Sequence, residues 1–277
     1  MASIIEREWI YATLPIKNPQ NGLGTGFLVA RMHDSNDRGK IFLVTNKHVI
    51  HTNAENRDSV THITCHFNSR NGESTGTCEV DIPLRDNQGE CLFRQHPDLD
   101  TDVYAIDITH VITTNKSINA KWVQYDMFAT EEIRQELDIT VGEDIITIGY
   151  PLGLRQGHSN LPLLRQGLIS TEIGKPILDQ VRNPDNTIRD RTLRAFLIDG
   201  ATIHGSSGSP VVLKPVTGRV IGNSLNLASA PPVLLGIVAE TKYAPILYGN
   251  NTYFSFAGLG LVFEVETIKE TIELFFN

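Results

Sequence analysis

The feature that most limits what this chain can fold into is a recurrence of short runs rich in β-branched and aromatic residues, each bounded by turn-forming residues. They fall at 9–16, 26–30, 41–45, 59–67, 103–108 and 144–148, and again at 193–198, 211–213, 233–239 and 253–256. Runs of this length and composition form strands, and a succession of them with turn signals between predicts an all-β barrel or sandwich. Two segments break the rhythm. Thr130 stands where it can accept a backbone N–H at the start of a short helix over 131–137, with Glu131 and Glu132 in the first turn, where they suit the helix dipole. Val265, Ile268, Ile272 and the Phe275–Phe276 pair recur at three- to four-residue spacing, which predicts a C-terminal helix over 265–276 docked on the second half of the chain.

The stretch 113–137 is polar and holds no strong strand, so it divides the strands into two blocks. A length of 277 residues is enough for two cores. The expected organisation is a first β-domain over 1–120, a linker with the short helix over 121–138, and a second β-domain over 139–277 that ends in a helix. Gly- and Asn-rich pieces at 18–24, 68–76 and 183–190 read as hairpin tips. The charged stretch 180–194 reads as a solvated hairpin, with recognition of a partner as the alternative.

A hydrophobic share of 40% with 20% charged residues is that of an ordinary globular chain, and the net charge of -8 argues against a nucleic-acid partner. The longest apolar stretches, such as 232–239, have strand length and cannot span a bilayer. Residues 1–11 carry Glu6, Arg7 and Glu8 where a secretory signal needs an apolar core. The three cysteines, Cys65, Cys78 and Cys91, are an odd number in a chain large enough to fold without staples, so free thiols and a cytoplasmic setting are expected.

The strongest local signal for chemistry is Gly205-Ser206-Ser207-Gly208-Ser209-Pro210, followed at once by Val211-Val212-Leu213. Small residues around Ser207 let the backbone turn sharply and let a substrate carbonyl approach the N–H groups of Gly205 and Ser207, an oxyanion hole in outline. Taken alone, the segment is equally a Gly/Ser turn between strands. A serine hydroxyl needs an imidazole to take its proton and a carboxylate to orient that imidazole. Phe42-Leu43-Val44-Thr45-Asn46-Lys47-His48 ends an apolar strand in a histidine, and Thr101-Asp102-Val103-Tyr104-Ala105-Ile106 begins one with an aspartate. Each taken singly is an ordinary strand-end residue; Lys47 reads as a surface residue.

Together with Gly24 to Val29, Gly149-Tyr150-Pro151-Leu152-Gly153, Gln166 to Ser170, Asp199 to Pro210 and Leu235 to Val238, these segments resemble, in order, the trypsin-like serine peptidases. The resemblance lies in the bacterial branch of Deg/Htr proteases and glutamyl endopeptidases. It implies two six-stranded antiparallel β-barrels of the chymotrypsin type with the active site between them. It also implies a triad of His48 as base, Asp102 as its orienting partner and Ser207 as nucleophile, with Gly205 and Ser207 N–H groups holding the oxyanion. No metal or cofactor is implied, and the partner is a protein or peptide substrate. Ser206 stands where animal trypsins carry an aspartate that pairs with a cleaved N-terminus, so activation by N-terminal cutting is not expected. Ala201 stands where trypsin has the acidic residue that draws Lys or Arg, and Thr202 and Val238 occupy neighbouring pocket positions. Glutamyl endopeptidases carry a histidine at the place of Val238, so a small or medium apolar P1 residue is expected. Ala239, Glu240 and Thr241 form the edge that pairs with an extended substrate. Glu240 there either repels acidic substrates or faces water. His204 either lines the cleft or is a solvent-exposed loop residue.

Three rivals are weighed. An α/β-hydrolase elbow requires an acid and then a histidine after the serine, and no His or Asp follows Ser207. Zinc binding by His62, Cys65, His66, Cys78 and Cys91 lacks any Cys-x2-Cys or His-Glu-x2-His spacing. A catalytically inactive, peptide-binding relative of these proteases remains the alternative function.

Overall fold

A computed structural model describes residues 7–20, 22–32, 39–51, 60–69, 76–156, 160–182, 185–200, 202–221, 224–226, 232–248 and 251–276. Ala201 lies outside them, as does most of the expected hairpin tip at 68–76. The first half folds into an antiparallel sheet whose main path runs Thr77–Pro83, His62–Ser69, Thr13–Lys17, Leu23–Met32, Gly39–Thr45, Tyr104–Asp107, Phe93–Gln95. This sheet curls until its two edges meet. Arg85 bridges Cys91, and Leu92 N–H donates to the Leu84 carbonyl at 3.0 Å. The second half is a closed six-stranded barrel of Asp144–Gly149, Leu163–Ile169, Ala195–Asp199, Asn251–Glu264, Leu234–Tyr248 and Pro210–Leu213. The all-β, chymotrypsin-like architecture expected from the sequence is the one observed, although the first ring is sealed by only a few bonds.

Four local expectations are corrected. Residues 9–16 do not form one strand. Arg7–Ala12 is a helical turn that buries Trp9 and Ala12 on one face, three residues apart, and Thr13 Oγ1 closes it on the Trp9 carbonyl at 2.8 Å before the strand begins. The run 193–198 is interrupted at Arg194, which turns out to pair with Glu270 at 2.8 Å. The helix Glu131–Glu136 forms, but Thr130 makes no side-chain cap bond. The C-terminal helix Val265–Glu273 buries Val265, Ile268 and Ile272, yet it docks on both halves. Phe275 lies 4.8 Å from Phe42 of the first sheet between ring centroids, and Arg31 and His96 of the first half reach Glu273 and Glu270.

One apolar cluster runs through the interface. Phe27, Phe42 and Val44 of the first sheet pack with Ile148, Val212, Leu234 and Phe263 of the barrel and with Ile268 of the helix. At about 25 cal/mol per Å2 of apolar surface removed from water, a continuous cluster of this kind fixes the two sheets against each other. Any group at the ends of their facing strands is therefore held in a defined position.

Candidate active site

His48 is the second residue of the single turn Lys47–Ile50, whose cap Asn46 follows directly on the strand Gly39–Thr45. Asp102 arrives from the loop ahead of Tyr104–Asp107, the strand paired with Gly39–Thr45, so the sheet itself brings the two side chains together. Asn46 Nδ2 donates to the Asp102 carbonyl at 2.7 Å and Lys47 N–H to Asp102 Oδ1 at 2.6 Å, which locks the carboxylate's direction. The other carboxylate oxygen accepts from His48 Nδ1 in a short contact, leaving Nε2 of a half-exposed imidazole for the cleft. Lys47 is buried rather than on the surface, and its ammonium reaches the Asp98 carbonyl.

Burial alone would depress the His48 pKa, but the hydrogen bond and charge of Asp102, with help from Glu240, outweigh it and hold His48 above its usual value. For Asp102, burial works to raise the pKa and is overcome by the His48 imidazole and the two backbone donors, so the carboxyl stays below its ordinary range. The pair therefore favours a carboxylate beside a basic imidazole, the electrostatic arrangement of a general base.

The Ser207 turn is carried by the second barrel but bonded to the first. Thr25 N–H donates to the Ser207 carbonyl at 2.8 Å, and Thr25 Oγ1 donates to the Gly205 carbonyl at 2.8 Å. Thr45, three residues before His48, donates its hydroxyl to the Thr25 carbonyl at 2.7 Å. Gly208 has φ +86°, and a Cβ there would lie 1.8 Å from the Thr25 carbonyl oxygen. Only glycine permits that approach. The serine turn and the His48 turn thus meet the first sheet at the neighbouring ends of two paired strands, at Thr25 and Thr45. The Ser207 hydroxyl itself donates to the Ala239 carbonyl at 3.2 Å.

The direction of the turn's N–H groups is set by its other bonds. The His204 carbonyl accepts from Leu152 N–H at 2.7 Å, and because a trans peptide sets C=O and N–H in opposite directions, this fixes the Gly205 N–H on the far side. Gly205 takes φ +90° and Leu152 φ +56° to make that contact. Among the described residues, neither Gly205 N–H nor Ser207 N–H donates to a protein acceptor. Two such donors in one turn, beside a serine, are the kind of group that can receive a developing negative charge.

The remaining expected positions are distributed as follows. Thr202 is buried, and Thr241 Oγ1 donates to its carbonyl at 3.0 Å, joining two segments beside the serine turn. A Cβ on Gly260 would come within 2.5 Å of Thr202 Cγ2, so little room is left between them. Val238 is buried in the barrel core, where its carbonyl accepts from Gly208 N–H at 2.8 Å. Ala239 is buried, with its carbonyl on the serine hydroxyl. Glu240 neither stands alone as a repelling charge nor merely faces water: Arg191 holds it at 2.8 Å and Lys242 at 3.0 Å. His204 has an exposed side chain, and its carbonyl does the structural work. Cys65 is buried and its thiol is pushed far above its usual pKa by burial, while Cys78 and Cys91 are half-buried free thiols.

Several contributors were not legible as site residues. Thr25 and Tyr150 meet across 125 residues of sequence, with Tyr150 N–H donating to Thr25 Oγ1 at 3.0 Å. The hairpin Ile177–Arg182 and Ile188–Leu193 is fixed to the strand of Glu240 by Asp179, Arg191 and Lys242, and to Asp100 by Arg189. The charged stretch is thus ion-paired to the site rather than simply solvated.

Comparison with known proteins agrees with this fold. A family model described as a trypsin-like peptidase domain matches residues 24–222. The chain belongs to the trypsin-like peptidase family. Among solved structures it is similar to Deg5, with 16% identity, a TM-score of 0.51, and coverage of 96% of this chain and 89% of that one. It is also similar to the active form of the Rv3671c protease from M. tuberculosis, with 15% identity, a TM-score of 0.49, and coverage of 96% and 81%. At these identities the likeness extends to the fold, and that inference rests on Deg5. A search of curated proteins finds no match. No helix among the described residues is long and apolar enough to cross a membrane.

Proposed function

We propose that this trypsin-like peptidase is an active serine endopeptidase with His48, Asp102 and Ser207 as its triad. The observation that carries the reading is the convergence, on the Thr25–Thr45 strand ends, of an imidazole–carboxylate pair and a serine turn with two unoccupied backbone donors. In the reaction Ser207 Oγ leaves the Ala239 carbonyl by rotation about its side chain and gives its proton to His48 Nε2 as it attacks the scissile carbonyl. The oxyanion settles on the N–H groups of Gly205 and Ser207. His48 then protonates the leaving amine, and water hydrolyses the acyl-enzyme by the same route in reverse. Ala239, Glu240 and Thr241 supply the edge for an extended substrate. Close packing of Thr202 on Gly260 suits a small or medium apolar P1 residue. Ala201, which falls at the position that draws basic residues in trypsin, is proposed as part of that pocket on sequence alone.

A second reading, an inactive peptide-binding module, draws on the Ser207 hydroxyl's bond to Ala239 in place of His48. One experiment separates the two. The protein and its Ser207→Ala form are treated with a fluorophosphonate probe and with casein or a peptide library. Labelling and cleavage that vanish together in Ser207→Ala are expected, with cuts after Val, Ala, Leu or Thr. Peptide binding without labelling or turnover in the wild type overturns the enzymatic reading, and a profile dominated by Arg or Lys at P1 overturns the pocket assignment.

A further inference from the structure

The strands Leu234–Tyr248 and Asn251–Glu264 are far longer than the barrel needs. Their inner ends pair with Pro210–Leu213 and Ala195–Asp199, but from Tyr243 paired with Phe256 to Tyr248 paired with Asn251 they pair, among the described residues, only with each other, as a two-stranded arm. Directly opposed residues share a face. Tyr243, Pro245, Leu247, Phe254 and Phe256 therefore line one side, and Ile246, Tyr248 and Tyr253 the other. Leu247, Tyr248 and Phe254 are 78%, 79% and 72% exposed, and Tyr243, Ile246 and Tyr253 are all more than half exposed. No charged residue or histidine occurs from Tyr243 to Phe263. Exposed two-stranded ribbons are ordinarily protected by Lys, Glu or Pro, and here the only such device is Pro245.

We propose that the arm is the surface through which two copies of this chain associate, the arms packing against each other about a two-fold axis. Three observations select a second copy as the occupant. The chain carries a net charge of -8, so two copies repel each other over most of their surface and meet without penalty only at an uncharged patch. An isologous contact must be complementary to itself, and an aromatic and aliphatic face free of charge satisfies that, whereas a charged face would oppose like with like. Tyr243, Leu247, Phe254 and Phe256 expose roughly 500 Å2 on one face of the arm and Ile246, Tyr248 and Tyr253 roughly 400 Å2 on the other, so two arms that clasp each other over both faces reach the roughly 800 Å2 that each partner of a stable dimer contributes. The patch is also rich in Tyr and Phe, the residues that concentrate at interface centres.

The test is sedimentation equilibrium on the full chain and on a Leu247→Glu/Phe254→Glu variant, with Leu178→Glu, an equally exposed leucine on another hairpin, as control. Far-UV circular dichroism and hydrolysis of a short peptide ester check that each protein is folded. The wild type and Leu178→Glu are expected to dimerise with a dissociation constant on the order of micromolar or tighter. The arm variant is expected to be weakened by about a hundredfold or more while keeping its fold and ester hydrolysis. A wild type that stays monomeric at millimolar concentration, or an arm variant that dimerises as the wild type does, overturns the proposal. So does a wild type that is monomeric in solution but floats with phosphatidylcholine vesicles, which would make the arm a membrane contact instead.

Discussion

Replacing Thr25 by valine tests how the two halves hold the serine turn. The substitution keeps the shape of the side chain and removes one hydroxyl, which is fully buried and makes two bonds, donating to the Gly205 carbonyl at 2.8 Å and accepting from Tyr150 N–H at 3.0 Å. Each backbone partner is itself buried, and an unsatisfied buried polar group costs about 1–3 kcal/mol, so the change should remove about 2–5 kcal/mol of stability. For a chain of this size that corresponds to a fall of about 3–9 °C in melting temperature. The effect on chemistry is separate. Deleting an oxyanion donor outright costs about 10²–10³ in kcat, and Thr25→Val loosens the Gly205 peptide without deleting its N–H, so kcat for a short ester should fall by about 10- to 100-fold with KM nearly unchanged. Thr25→Ser keeps both bonds and should remain within about threefold of the wild type. Calorimetry and steady-state kinetics on the three proteins decide the matter. If Thr25→Val melts and turns over as the wild type does, the hydroxyl is not what holds the turn, and the account of the oxyanion site fails with it.

Two further outcomes follow from the same geometry. His48 is held above 6.5 and must be neutral to act as base, so kcat/KM should fall as pH drops through a midpoint above 6.5; Glu240→Gln removes one of the charges that raises it and should move that midpoint down, and an upward shift would show the electrostatics to be misread. In stability the sign is opposite, since the protonated His48–Asp102 pair stabilises the fold fully below 6.5 and that contribution is lost as pH rises through the folded-state pKa of His48. Gly208→Ala and Gly89→Ala form a matched pair, because both glycines have φ +86° but only Gly208 has a neighbour in the way, the Thr25 carbonyl at 1.8 Å from the added Cβ. Gly89→Ala should cost about 1–2 kcal/mol from the backbone alone, and Gly208→Ala distinctly more together with all peptidase activity; equal unfolding free energies in urea would refute the clash.

What could be read from the residues, and what could not, follows from the range of the interactions involved. Strands such as 41–45 and 211–213 announce themselves because β-branched runs between turn residues carry their own preference, and the glycines around Ser207 do the same for a sharp turn. The pairing of His48 with Asp102 is implied by the family resemblance of the segments that carry them, since a histidine or an aspartate at a strand end is by itself ordinary. The error at 9–16 has the opposite cause: Trp9 and Ala12 satisfy a helical and an extended pattern equally over so few residues, and burial of Trp9 between the two sheets decides for the helix. Thr25, Leu152 and Arg191 look like ordinary strand, turn and hairpin residues because nothing beside them in sequence is their partner; Thr25 meets Gly205 across 180 positions. The same holds for Glu240, whose charge suggests repulsion until the fold sets Arg191 and Lys242 against it. A local pattern can therefore name the groups that react, whereas the groups that aim them are chosen by the docking of one sheet on the other. For that reason the seam at Thr25, rather than the serine itself, is where one small change should disturb folding and catalysis together.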